Sequence, residues 1–331
     1  MSAIPFVPPI EVEYGRVDQV SPLIRRIVAR NPSKYTYLGT GTYVVGRGEV
    51  AVIDPGPLLD EHFEAIMTAL AGERVVAILV THCHSDHSPL TARLAAATGA
   101  ITYGYGPAPV YPPPPDDGLD DWPEDESAKD AADPEAEPAA DAEEEPKEGV
   151  DHDFRPDVCL NDGAVLSGPG WTFEALHTPG HTSNHLCFAL AEEQAIFTGD
   201  HVMGWSTSVI TPPDGDMAAY LASLRRIQER GAQVLWPTHG GPVTEPETFV
   251  AAYLEHRLER EAQVLALLDQ GIEEIPSMVA VLYTQVRPEL HHAAGRSLLA
   301  HLCQLVDDGR ATVVSGGAPR LRSRFVRSNG V

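Results

Sequence analysis

Between Thr81 and His87 the chain reads THCHSDH, three histidines and one aspartate packed into seven residues directly after the apolar run RVVAILV. Imidazole nitrogens and carboxylate oxygens are ligands that zinc accepts, and a tight turn at a strand end can aim alternating side chains at two points. One loop of this kind could begin two metal sites but could not complete them, because each ion takes about four ligands. Further histidines and aspartates at comparable positions are therefore required. The chain supplies His181 in HTPGHT, Asp200 in FTGD and His239 in PTHGGP. With His82, His84, Asp86 and His87 these make an ordered set of seven candidate ligands. Cys83 alternates with His82 and His84 and is expected to point away from them. Cys83, Cys159, Cys187 and Cys303 form no C-x-x-C pair, so neither a disulfide framework nor a cysteine zinc site is indicated.

The elements that would carry these residues alternate between strand and helix signals. YTYLGTGTYVVGRGEVAVIDPG reads as two or three strands separated by glycine turns, and LLDEHFEAIMTALAG as a helix closed by Gly72. RVVAILV is a buried strand, SPLTARLAAATG a helix and ITYGYG a short strand. Farther on, AVLSGPGWTFEALHTPGH, HLCFALAEEQAIFTGD and AQVLWPTHGG each carry a strand that runs into a His or Asp cluster. Polar clusters at successive strand ends gather on one edge of a sheet, where active sites are commonly built. The pattern predicts an α/β sandwich with helices on its outer faces.

At 331 residues and 43% hydrophobic composition the chain can bury a large core and a smaller second one. Its opening residues, MSAIPFVPPI, lack a basic start, and no apolar run reaches the roughly 20 residues needed to cross a bilayer. The expected location is cytoplasmic, away from membranes. The net charge of -25 is concentrated: between Tyr111 and Val150 sixteen acids face two lysines, which leaves -11 for the rest. This proline-rich stretch, set within an insertion at about 107–153, cannot build a core and reads as a solubilising segment or a strap near the site, with Trp122 as its one aromatic anchor.

The H-x-H-x-D-H loop followed by His, Asp and His resembles the metallo-β-lactamase superfamily over roughly residues 35 to 245. That resemblance implies a four-layer αβ/βα sandwich with a dinuclear metal centre at one edge. Carried over by position, His82, His84 and His181 would hold one ion, Asp86, His87 and His239 the other, and Asp200 would bridge them. The expected cofactor is two zinc ions per chain, with iron or manganese as substitutes. Many hydrolases of the superfamily continue the loop as DHxGG, whereas here Ser88, Pro89 and Leu90 follow His87, a change that bears on substrate fit and not on the ligands. The segment from HTPGHTSNHLCF through WPTHGGPV, with its C-terminal extension, is similar to the subfamily of β-lactamase-like protein 2, in which a winged-helix-like domain follows and some members cleave single-stranded RNA. The expected domains are 1–249, catalytic, and 250–331, helical and winged-helix-like: FVAAYLEHRLEREAQVLALLDQG, SMVAVLYTQV and RSLLAHLCQLVDDG are helices and ATVVSGGAPRLRSRFV a hairpin.

A water between two such ions has its pKa lowered towards neutrality and can attack a carbonyl or phosphorus, which makes Asp86 and Asp200 the catalytic carboxylates. No G-x-S-x-G elbow competes with this, and Ser85 reads as a loop residue. Asp54 is either an acceptor for a ligand imidazole or a turn residue before Pro55 and Gly56. His177 and His185 flank His181, and Trp205, Ser206 and Thr207 either line the pocket or form an ordinary loop. The reading is a metallohydrolase of a small ester, thioester or lactone, with lactam hydrolysis as a side activity. True lactamase duty is disfavoured, since such enzymes generally lack the bridging aspartate and a defensive one would be exported. The alternatives are a single-stranded endoribonuclease and a non-catalytic, metal-binding regulatory protein. RNA would be met by Arg320, Arg322 and Arg324, which alternate so that one strand face would carry them, unless they only keep an edge strand soluble. The oligomeric state is left open, a homodimer included.

Overall fold

The computed structural model describes residues 4–112 and 149–328; Trp122 and most of the acidic insertion lie outside them. Among the described residues the first sheet has seven strands in the order β1 (Val17–Gln19), β2 (Ile24–Val28), β3 (Gly41–Arg47), β4 (Glu49–Ile53), β5 (Arg74–Leu79), β6 (Ile101–Gly104) and β7 (Val158–Cys159). The pairs from β1 to β4 are antiparallel and those from β4 to β7 are parallel. A second sheet of five strands contains β8 (Val165–Gly168), β9 (Trp171–His177), β10 (Leu186–Leu190), β11 (Ala195–Gly199) and β12 (Val234–Pro237), in the order β12-β11-β10-β9-β8. Only β11 and β12 are parallel there.

Alternation in the strands sorts side chains onto two faces. Tyr43, Val45, Ala51, Ile53, Ala77 and Leu79 of the first sheet meet Phe173, Ala175, Phe188, Leu190 and Phe197 of the second in one core. Each fully buried aromatic there contributes about 2–3 kcal/mol of hydrophobic stabilisation. The opposite face of the first sheet, with Val44, Val50, Val52 and Ile78, is covered by α1 (Asp60–Ala69) through Ile66 and by α2 (Thr91–Thr98) through Leu94. Asp60 and Glu61 sit in the first turn of α1, where carboxylates suit the helix dipole. Gly99, at φ 72°, ends α2 in the left-handed conformation. On the outer side of the second sheet lies α3 (Met217–Glu229); its Ser223 hydroxyl donates to the Pro179 carbonyl and its Arg226 to that of His177. Helix, sheet, sheet and helix make the four layers.

Two compact units divide the described residues: one comprises those up to Val110, 149 to Ser208 and Ala218–His256; the other comprises 111–112, Val209–Met217 and those from Arg257 onward. The division falls inside α4 (Pro246–Asp269). Besides that helix the second unit contains α5 (Ile275–Leu282), α6 (His291–Asp307) and an antiparallel hairpin of β13 (Ala311–Val313) and β14 (Phe325–Arg327). Val264, Leu268, Met278, Leu298, Leu302 and Phe325 form its core. The hairpin departs from expectation in one respect. Arg320, Arg322 and Arg324 do not share a strand face, because β14 begins only at Phe325. Leu321 turns into the core and the Ser323 amide donates to the Arg320 carbonyl at 3.0 Å, closing a turn where period-two alternation does not apply.

Candidate metal centre

The parallel pairing of β4 with β5 and of β11 with β12, and the antiparallel run β9-β10-β11, bring the ends of β4, β5, β9, β11 and β12 to one edge. Backbone hydrogen bonds tie the two sheets together there: Leu186 N–H donates to Thr81 O and Gly41 N–H to Thr238 O, each at 2.8 Å. Gly199, at φ 51°, is needed where it is, since a Cβ would lie 2.7 Å from His185 Nε2 and 2.9 Å from Thr81 Oγ1.

All seven candidate ligands meet at this edge. His82 Nε2 lies 2.9 Å and His181 Nε2 3.1 Å from His84 Nδ1, so three ring nitrogens converge on one point. Asp86 Oδ2 lies 3.2 Å from both His87 Nε2 and His239 Nε2. The Asp200 carboxylate stands between the groups: Oδ1 is 3.3 Å from His239 Nε2 and 3.6 Å from His87 Nε2, while Oδ2 is 4.0 Å from His181 Nε2. Three donor sets lie within 4.8 Å among themselves: His82, His84 and His181; His82, His87 and Asp200; Asp86, His87 and His239.

Burial and mutual charge set the protonation of these groups. Burial, with the neighbouring imidazoles of His87, His84, His181 and His185, holds His82 well below the ordinary imidazole range. Burial alone would raise Asp86 and Asp200, yet His87 and His239 overcome it and hold both well below the usual carboxylate range. Against their own burial, His87 is driven well above its ordinary value by Asp86, Asp200 and Asp54, and His239 is raised to about 10, mainly by Asp200. Among the described residues, His87 Nε2 and Asp200 Oδ1 are nevertheless buried without a hydrogen-bond partner. Buried polar atoms left in this state are costly. Nitrogen lone pairs converging from His82, His84 and His181, two ionised carboxylates, and protons on His87 and His239 that a divalent cation would displace are the donor chemistry such an ion fits.

Surrounding side chains fix the donors. Asp54 is fully buried at φ 47°; its Oδ2 lies 2.9 Å from His87 Nδ1 and accepts from Thr81 Oγ1 and Thr238 Oγ1, and its Oδ1 accepts from the Thr81 amide. The Gly39 carbonyl lies 3.1 Å from His239 Nδ1, and Thr40 Oγ1 donates to Asp86 Oδ2 at 3.0 Å. His185 is buried with Nδ1 on Thr178 Oγ1 and its ring 5.1 Å from that of His82. His177 is outside the donor groups: it stacks on Tyr105 and its Nε2 meets the Ser183 carbonyl. Cys83 points away, its thiol taking a hydrogen bond from Asn184 and pushed by burial up to about 12. Trp205 stacks on Tyr37, and the Ser206 hydroxyl donates to the Thr207 carbonyl beside them.

Two contributions were hidden from sequence reasoning. Residues 149–153, which composition assigns to the insertion, bind the motif loop: Ser85 N–H donates to Gly149 O, Asp151 N–H to Cys83 O, and the Ser88 hydroxyl to Asp151 Oδ2 at 2.6 Å. Thr40 and Gly39 had no signal, since small residues in a glycine-rich loop are common. A cavity of about 330 Å³ opens at the opposite edge of the second sheet, beside Glu174 and Arg230, and gathers none of these donors.

Comparison with known proteins decides the lineage. Residues 37–239 match the metallo-beta-lactamase superfamily. The chain belongs to that superfamily. Residues 275–318 match the beta-lactamase associated winged helix domain, so the fold is a metallo-β-lactamase sandwich with a C-terminal winged helix. An atrochrysone carboxyl ACP thioesterase of Aspergillus chevalieri is 30% identical over 278 residues, covering 83% of this chain and 75% of that one. A metallo-beta-lactamase family protein from Thermus thermophilus superposes with a TM-score of 0.66 at 25% identity, over 93% of this chain and 99% of that one. A beta-lactamase domain protein from Burkholderia ambifaria gives a TM-score of 0.68 at 19% identity, covering 95% and 94%. The protein is a hydrolase of this superfamily. No helix among the described residues is long and apolar enough to cross a membrane.

Proposed function

We propose that the protein is a dinuclear metallohydrolase whose substrate is a small acyl thioester, with esters and lactones as neighbouring substrates. The observation that carries this reading is Asp200, whose two carboxylate oxygens face separate histidine groups from one buried position. Similarity to an ACP thioesterase supports the choice of a thioester. His82, His84 and His181 would hold one ion, Asp86, His87 and His239 the second, with Asp200 between; zinc suits this nitrogen and oxygen set, and iron or manganese would also be accepted. Bound there, the ions would supply Lewis acidity and a nucleophile drawn from water at neutral pH.

The chain's own groups do the rest. Asp86 and Asp200 stay ionised and present oxygens that orient the attacking water against the thioester carbonyl. Water adds to that carbon, the C–S bond breaks, and the sulfur leaves as a thiol with one proton of the water, while the acyl group becomes a carboxylate and the other proton passes to solvent. Asp54 fixes the His87 ring and the Gly39 carbonyl that of His239, which prevents the donors from rotating out of register. Cleavage of single-stranded RNA has less support: Arg324 is paired with Glu273 and Arg327 with Asp269 at the surface, and the charge outside the insertion opposes a polyanion.

A turnover panel of thioester, lactone, lactam and single-stranded RNA on metal-replete protein tests the reading. Thioester hydrolysis abolished by chelator is expected; efficient RNA cleavage without thioester turnover would replace it.

A further inference from the structure

Tyr37 and Trp205 form a stacked pair, ring centroids 4.6 Å apart and planes within 8° of parallel. The core aromatics pack differently: Tyr43 meets Phe197 at 67° and Phe173 meets Phe188 at 73°, the edge-on contacts that fill volume. Both rings of the stacked pair are only half-buried, so they do not serve the core. Tyr37 is held at φ 57°, a left-handed conformation that a bulky residue adopts only under constraint. Strain of this kind concentrates at sites of function.

The pair stands beside the metal centre. Tyr37 belongs to the loop whose Gly39 carbonyl meets His239 and whose Thr40 hydroxyl meets Asp86. Trp205 lies five residues after Asp200 and packs over Gly240, where a Cβ would fall 3.1 Å from Trp205 Cδ1. The Tyr253 hydroxyl anchors this loop by sharing its one proton between the Met203 and Ser206 carbonyls. Trp205 Nε1 is buried with no hydrogen-bond partner among the described residues, an indole N–H left without an acceptor there.

We infer that Tyr37 and Trp205 are the acyl-selecting wall of the site, favouring a planar aromatic acyl group that carries an oxygen acceptor for the Trp205 N–H. The inference rests on the thioesterase reading above. A flat arene extends an existing stack of two rings, whereas a saturated ring of equal size cannot, and an acceptor on the arene that reaches the indole edge would satisfy the buried Trp205 N–H.

The test uses metal-replete protein and N-acetylcysteamine thioesters of three matched acids: decalin-2-carboxylic, 2-naphthoic and 3-hydroxy-2-naphthoic. The wild type is expected to prefer naphthoyl over decalinyl by about tenfold in kcat/KM, with a further gain from the hydroxyl. Trp205→Leu and Tyr37→Leu should bring the naphthoyl preference close to unity. Trp205→Phe should keep it and lose the hydroxyl gain, and this variant decides the matter if the leucine variants do not fold. A wild-type ratio near one, or a Trp205→Phe enzyme that keeps the hydroxyl gain, overturns the inference. Should no thioester be turned over, the thioesterase reading falls, and calorimetric binding of the three free acids decides the wall separately: naphthoate held more tightly than decalin carboxylate only when Trp205 is present upholds it, and equal binding refutes it.

Discussion

At the sheet edge, Asp86 and Asp200 lie against His87 and His239, yet His87 Nε2 and Asp200 Oδ1 are buried and find no hydrogen-bond partner among the described residues. In the C-terminal hairpin, Arg324 and Arg327 project from the surface and are met by Glu273 and Asp269. Both regions concentrate charge, and they hold it in different ways. In the hairpin the charges are neutralised by local partners in solvent, where such pairs contribute little and are easily replaced. At the edge, five strand ends gather imidazoles and carboxylates in a buried space where their polar atoms are incompletely satisfied, an arrangement that a cation between them would relieve. Buried, incompletely satisfied charge marks the site, while exposed, paired charge marks a solvated surface.

The sharpest way to break the contrast is to remove charge from its centre. Asp200→Asn takes the carboxylate from between the two donor groups; loss of one metal equivalent and a fall in turnover on the order of a thousandfold are expected, read by elemental analysis and initial rates. Asp54→Asn acts one step back, since Asn tolerates the left-handed backbone at this position but cannot offer His87 the same anionic acceptor. Competition against a calibrated chelator should show metal affinity weakened by about 10- to 100-fold, with secondary structure kept.

His62 sharpens the comparison within the core. It is buried on α1 with Nε2 2.8 Å from Thr42 Oγ1, and burial lowers its pKa to about 4. The folded imidazole stays neutral while the unfolded chain takes up a proton near pH 6.5, so stability is full above about 6.5, falls as pH drops towards 4, and levels off below. The shift corresponds to about 3 kcal/mol. His62→Gln should lose that part of the pH dependence in urea unfolding, and an unchanged slope between pH 6.5 and 4 would refute the assignment. The smallest effect belongs to the hairpin: Arg324→Ala should cost under about 1 kcal/mol in the same assay and leave thioester turnover unaltered.

Much of the site was legible because its chemistry is local. The H-x-H-x-D-H spacing places donors on one loop, and His181, Asp200 and His239 follow strands whose apolar runs are easy to read. Strand ends gathered on one edge followed from the αβ alternation. What escaped depends on tertiary approach: the Gly39 carbonyl and the Thr40 hydroxyl reach His239 and Asp86 across distant parts of the chain, and Gly149 and Asp151 return from an acidic stretch to grip the motif loop. The hairpin arginines misled for the opposite reason, since an alternating R-x-R-x-R pattern looks like a strand while Leu321 and the Arg320–Ser323 turn fold it otherwise.

The central claim is that the edge cluster is a two-ion hydrolytic centre. Zinc titrated into metal-free protein, with bound metal and thioester hydrolysis followed in the same samples, tests it most directly. The account predicts saturation at two equivalents per chain, with turnover rising mainly as the second equivalent binds. Saturation at one equivalent with full activity, or two bound ions and no hydrolysis of any acyl substrate, would contradict it.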